Sequence, residues 1–167
     1  RGYPWDAAEG EALVRSMRSW QPFPDTRSAL LQAKADGRVK HLGLTGHHDP
    51  AILLEAMSRF PFDTVLVALN AADVHRMPFI STVLAEAQRQ SMGVIAMKTC
   101  AQKRLLTRIS MNEALGYVWS LPGVSLAVVG CETEAEVDEN AEIARQFQPR
   151  TSETLSLPTK DRPITKA

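Results

Sequence analysis

The strongest constraint on this chain is a repeated unit. Four short apolar runs, Val39 to Leu44, Thr64 to Leu69, Gly93 to Met97 and Ser125 to Val129, begin 25, 29 and 32 residues apart. Each leads through a polar elbow into apolar residues at helical spacing, closed by Gly or Pro. That interval suits strand, crossover helix and parallel strand repeated in order. The near-continuous runs "TVLVAL", "GVIAM" and "SLAVV" suit parallel strands covered on both faces, because alternation is lost when neither face meets water. The expected fold class is α/β with a parallel sheet.

The helices carry their own start signals. Asp49 and Pro50 place a cap and a first-turn proline before Ile52, Leu53, Ala56, Met57 and Phe60. "SMNE" (Ser110 to Glu113) and "TEAE" (Thr133 to Glu136) have capping-box spacing, in which hydroxyl and carboxylate satisfy amides left free by the first turn. A further helix is expected from Pro78 to Gln90, with Ile80, Val83, Leu84 and Ala87 on one face.

The first 36 residues break the pattern. Helical segments are expected over Ala7 to Ser19 and Asp25 to Ala35, the second closed by Gly37 in a left-handed cap. Between them "WQPFP" excludes a central strand, since proline cannot donate to a sheet ladder. The chain therefore divides into a helical segment over 1–36, four βα units over 37–147, and an irregular tail over 148–167 that ends in "TSETLSLPTKDRPITKA".

Composition narrows the function classes. The 19 basic and 19 acidic residues are spread along the 167-residue chain, which leaves no basic footprint for nucleic acid or an anionic membrane. No apolar run approaches the ~18 residues of a membrane span, and "RGYPWD" lacks the apolar core of a secretory signal. A cytoplasmic location is expected. Cys100 and Cys131 have no CxxC partner and read as reduced packing thiols. His47, His48 and Asp49 superficially suggest a metal. Adjacent residues on an extended segment point in opposite directions and no third ligand is well spaced, so no metal is expected; Asp49 reads as the helix cap.

Four fragments in register, "DGRVKHLGLTGH", "FDTVLVALN", "GVIAMKT" and "LPGVSLAVVGCETEAEVDENAEIA", resemble consecutive landmarks of the aldo/keto reductases. The resemblance covers about residues 25–147 and implies the carboxyl-terminal half, strands five to eight, of a parallel (β/α)8 TIM barrel. It also implies hydride transfer between a nicotinamide cofactor, NADP or NAD, and a carbonyl or alcohol substrate. The expected partner is a small-molecule carbonyl compound; homo-oligomerisation stays open. The alternative is a catalytically inactive regulatory or interaction subunit on the same scaffold, since fold resemblance does not separate the two.

The resemblance also implies site residues, all at the carboxyl ends of the strands where such barrels place function. Thr45 and Gly46 match a Ser-Asn pair that holds the nicotinamide carboxamide; Gly46 has no side chain, so part of that contact is lost or replaced by His47. In the next unit Leu66 stands where a Gln is common and Leu69 where an aromatic is common, leaving Asn70 as the polar residue near the ring. Met97 matches a Tyr that stacks on nicotinamide, keeping a polarizable apolar contact without stacking. Lys98 and the following "AQKR" fall where a loop covers the pyrophosphate, and a cation there makes charge-assisted contacts. Gly130 begins the segment that receives the adenosine phosphate end, with Glu139 and Asn140 matching the pair that reads adenine. Glu132, Glu134 and Glu136 stand where basic residues hold the 2′-phosphate of NADPH in other members, which keeps NADH in play.

The catalytic Asp, Tyr, Lys and His of the family match no position here. Tyr3 and Tyr117 lie outside the matching motif, so no catalytic residue is assigned and this chain alone is expected to be inactive. Four strands cannot close a barrel that usually takes about 250 residues. The expectation is therefore an incomplete sequence: segments lost to disorder, a cleaved fragment, or a half-barrel that pairs with a second copy. The break inside an otherwise recognisable region favours the first.

Overall fold

The computed structural model describes residues 24–72 and 78–150. The expected helix Ala7 to Ser19, nearly all of "WQPFP" and the tail beyond 150 lie outside the described residues. Helix α1 (Pro24–Ala35) is followed by β1 (Gly43–Gly46), α2 (Pro50–Arg59), β2 (Thr64–Ala68), α3 (Ala85–Arg89), β3 (Gly93–Met97), α4 (Met111–Ser120), β4 (Val124–Ala127) and α5 (Glu134–Gln146). A single turn of π-helix (Ile80–Leu84) leads into α3, and a 3-10 turn (Arg104–Thr107) precedes α4. The four strands form one parallel sheet in sequence order, β1-β2-β3-β4. This is the α/β class expected, and a partial TIM barrel.

The first strand starts later than its apolar pattern implies. Beyond α1, Gly37 adopts φ +72° and the N–H groups of Arg38 and Val39 donate to Ala33 O at 2.9 and 3.2 Å. These residues finish the helix rather than begin the strand. The Leu42 N–H donates to Asp63 Oδ2 at 2.7 Å, so a carboxylate takes the place of a ladder partner. Pairing begins at Gly43 with Thr64, and Thr45 and Gly46 therefore lie in the strand. At the other edge β4 starts one residue early and bulges. Val94 faces Val124 and Ile95 faces Leu126, while the Ser125 hydroxyl accepts the Val94 N–H at 3.2 Å and fills the gap in the ladder.

The core lies on one face of the sheet. Val65, Val67, Leu69, Val94 and Ala96 are fully buried against Leu53, Met57, Val83, Leu84, Ala87 and Val118 from the crossover segments. Each of the Val, Leu and Met side chains contributes ~1.5–3 kcal/mol on leaving water. Register places Thr45, Leu66, Ile95 and Leu126 in a row on the opposite face. That face is only part-covered among the described residues, with Leu126 47% and Val128 55% exposed. The expectation of two covered faces holds for one only. A closed barrel fills its interior with side chains from all eight strands, and four strands supply half of that filling.

The expected caps form. Asp49 accepts the Ala51 N–H at 2.8 Å, with Pro50 in the first turn. Ser110 and Glu113 make the full reciprocal box. At α5 only half of the box forms. Thr133 Oγ1 accepts the Glu136 N–H at 3.2 Å, but the Glu136 carboxylate reaches one residue further back, accepting the Glu132 N–H at 2.6 Å.

Candidate functional site

All the resemblance-derived positions lie at the carboxyl-terminal end of the sheet or in the segments that follow it. Thr45 is on the half-open face, where its hydroxyl donates to Leu66 O at 3.0 Å, so its lone pairs are what it has left to offer a ligand. Gly46 turns the other way. A Cβ there would stand 2.9 Å from Leu53 Cδ2, so any side chain at this position would have to push Leu53 aside where α2 packs on β1.

His47 and His48 follow in a bend, and their rings stack with centroids 5.2 Å apart. The expectation that they point in opposite directions fails because strand geometry ends at Gly46. Burial holds the His47 imidazole below its ordinary value, with the charges of Lys98 and His48 adding to the effect. At neutral pH His47 is therefore a neutral donor and acceptor rather than a second cation. Among the described residues no group of three or more His, Cys, Asp or Glu is arranged to hold a metal ion.

Asn70 closes the turn after β2. Its Oδ1 accepts the Ala72 N–H at 3.0 Å and its Nδ2 donates to Lys98 O at 3.4 Å. This ties the second and third elbows together and spends half of the amide's capacity locally. Met97 ends β3 opposite Ala68, half-buried on the open face beside Ile95. Lys98 then enters the left-handed region at φ 54°, and Ala101, Gln102 and Lys103 follow at 48°, 59° and 68°. Left-handed backbone in residues with a Cβ is strained, and such strain concentrates where loops have a function. The loop is held by Ala101 N–H to Lys98 O at 2.8 Å and by Leu105 N–H to Cys100 O at 3.2 Å.

One residue of this loop reaches the fourth unit. Lys103 Nζ lies 3.1 Å from Glu132 Oε1 and 3.5 Å from Glu136 Oε1. The Glu132 carboxylate beside it, with Glu136 behind, raises the Lys103 pKa. The backbone N–H of Glu132, with Lys103 assisting, holds the Glu136 carboxyl below its usual range. Sequence reading placed Lys103 in the covering loop but not in this bridge. Its partners are 29 and 33 positions away, and only charge complementarity between the two segments hints at the contact.

Gly130 is exposed and a Cβ there would meet nothing within 4 Å. Glu139 is exposed on α5, one residue before Asn140. Asn140 Nδ2 donates to Cys131 Sγ at 3.3 Å, while its Oδ1 is buried without a hydrogen-bond partner among the described residues. An orphaned buried acceptor is uncommon in folded proteins.

Among solved structures, the chain is similar to the holo form of an aldo-keto reductase from Bacillus halodurans, with TM-score 0.62 and 15% identity over 80% of this chain and 54% of that one. The apo form of the same enzyme gives TM-score 0.61, also at 15% identity and the same coverage. The fold is that of the aldo-keto reductases. This chain spans about half the length of those structures, 54%, and its parallel sheet with alternating helices corresponds to part of the aldo-keto reductase barrel. No family model matches the sequence and no curated protein matches it. No helix among the described residues is long and apolar enough to cross a membrane.

Proposed function

We propose that this chain is the cofactor-binding half of an aldo-keto reductase-like oxidoreductase, acting on a small carbonyl or alcohol in a cytoplasmic setting. A bound nicotinamide dinucleotide supplies or accepts the hydride. Catalytic proton transfer falls to residues outside the four units, since no matching tetrad is found here. The observation that carries the reading is the Asn140 Oδ1 midway along α5, buried without a hydrogen-bond partner among the described residues, in a fold shared with a holo reductase. That acceptor fits the exocyclic amine of an adenine.

The other residues have roles that follow from their chemistry. Lys98, half-buried at the end of β3, neutralises diphosphate charge. Neutral His47 and the Thr45 lone pairs serve an amide-bearing ring, and Met97 gives that ring an apolar contact that excludes water. Gly130 leaves the backbone open to close approach. The test is a fluorescence titration of the full chain with NADH and NADPH, with 5′-AMP as competitor. Saturable enhancement or quenching reversed by 5′-AMP is expected. No response to either dinucleotide removes the proposal for this polypeptide.

A further inference from the structure

The open face of the sheet has the makeup of an interior. Thr45, Leu66, Ile95 and Leu126 cross it in one row, with Met97 and Val128 toward the carboxyl-terminal end, and none of the six is charged. An uncharged apolar face of this kind is a contact surface or an aggregation hazard. The sheet also has two free edges, β1 and β4. Neither Gly43–Gly46 nor Val124–Ala127 carries the charge or proline that keeps edge strands from pairing. The first and last helices are poorly covered as well, since α1 exposes Leu30 and Leu31, and α5 has no buried residue and exposes Val137. This chain cannot close the barrel by itself. One strand-and-helix unit takes 25 to 32 residues, and the segments 1–23, 73–77 and 151–167 are each shorter than that.

The face alone is too small to hold a partner. Four strands ~4.8 Å apart and four or five residues long, at ~3.3 Å per residue, present a footprint of roughly 300 Å², against the ~800 Å² per partner of a standard interface. A partner must therefore take the edges together with the face. Because the sheet is parallel and runs in sequence order, that partner must itself present a parallel sheet with two free edges, and a second copy does so. We infer that two copies of this chain pair about a twofold axis along the barrel axis, β4 of each beside β1 of the other, and close an eight-stranded parallel barrel around their open faces. The two seams are identical by symmetry, so the assembly stops at two. The size fits, since this chain spans 54% of the reductase it resembles and two copies make up the length of one. At each seam α5 of one copy meets α1 of the other, which gives Val137, Leu30 and Leu31 apolar neighbours. A formal net charge of zero puts no overall repulsion between copies. The inference does not depend on the proposed cofactor-binding role.

The test is sedimentation velocity of the full chain across a dilution series. Seams only four residues long give a reversible pair, with a dissociation constant expected on the order of 10 µM. The mass should rise from 18.4 kDa at about 1 µM, where the face is open to water, to twice that at about 100 µM. Leu126→Lys puts an ammonium inside the closed barrel and is expected to hold the chain at 18.4 kDa throughout, with its far-UV circular dichroism unchanged. Arg89→Ala, at an exposed position on α3, is the control and should pair like the parent. Hydrogen exchange gives a readout that needs no variant, because the amides of Gly43–Gly46 and Val124–Ala127 should slow with rising concentration while those of α3 do not. A chain that stays at 18.4 kDa at the highest concentration overturns the inference. So do a Leu126→Lys variant that still pairs, species larger than two copies, and edge amides that exchange at the same rate at every concentration.

Discussion

The Lys34 ammonium donates to Asp63 Oδ2 at 2.6 Å, and the same oxygen accepts the Leu42 N–H at 2.7 Å, so one carboxylate ties α1 to the starts of β1 and β2. These contacts lie at the end of the sheet opposite the candidate site, where barrel residues serve stability rather than chemistry. The hydrogen bond from Lys34, then that from Leu42, holds the Asp63 carboxyl below its ordinary value. A carboxylate with a lowered folded pKa stabilises above its unfolded value and loses that contribution as pH falls through the folded one. Asp63→Asn is therefore expected to lower the melting temperature most at pH 6–7, with the gap to the parent closing below about pH 4. Thermal melts from pH 3 to 7 test this; a constant gap would show that charge is not the cause.

The two caps differ in completeness, and their removal should differ likewise. Ser110→Ala removes two hydroxyl bonds at α4, the one accepted from the Glu113 N–H and the one donated to the Glu113 carboxylate, while the backbone arm stays, and is expected to cost about 1–2 kcal/mol. Thr133→Ala removes only one hydroxyl contact at α5, with no buried residue on that helix to amplify the loss, and is expected to cost about 0.5 kcal/mol. Urea denaturation of both variants checks the order. Equal losses would show that the second hydroxyl bond, from Ser110 to the Glu113 carboxylate, adds nothing.

Two leucines on opposite faces of the sheet separate core from open surface. Leu69 is 0% exposed, and Leu69→Ala is expected to cost about 2–5 kcal/mol through lost burial and an unfilled cavity. Leu126 is 47% exposed, and Leu126→Ser is expected to change stability by less than about 0.5 kcal/mol while raising solubility. Chemical denaturation and a concentration series by light scattering measure the two effects. A large stability loss in Leu126→Ser would mean that something covers this face in solution.

Lys98 is expected to act on the diphosphate of either dinucleotide. Lys98→Ala should weaken NADH binding about tenfold and flatten its dependence on salt, the loss expected for one charge-assisted contact. Fluorescence titration at two ionic strengths measures both quantities. Unchanged affinity would assign Lys98 to solvent.

Much of this was readable from local sequence because local physics decided it. Asp49 and Pro50 announce α2, the "SMNE" box announces α4, and Gly37 takes the left-handed turn its position implies. The apolar runs locate β2 and β3 within a residue, since a continuous hydrophobic stretch between turns has few alternatives. What local pattern misses is decided by distant partners. The late start of β1 follows from Asp63 taking the Leu42 amide, and the half-formed box at α5 follows from Glu136 choosing the amide of Glu132. The stacked His47 and His48 rings depend on where strand geometry stops, and the bridge from Lys103 joins segments about thirty residues apart with no motif between them.

The π turn at Ile80–Leu84, marked by the Leu84 N–H donating to Phe79 O at 2.9 Å, holds one residue more than a regular turn would. It works as a phase adjuster. Without the surplus residue, Phe79 would swing by about 100° relative to Ala87, and the two are now buried together at 2% and 0% exposure. Deleting any single position from 80 to 84 would yield a better-wound helix and a worse-packed core, so the length of this segment is constrained along with the identity of its buried Val83 and Leu84.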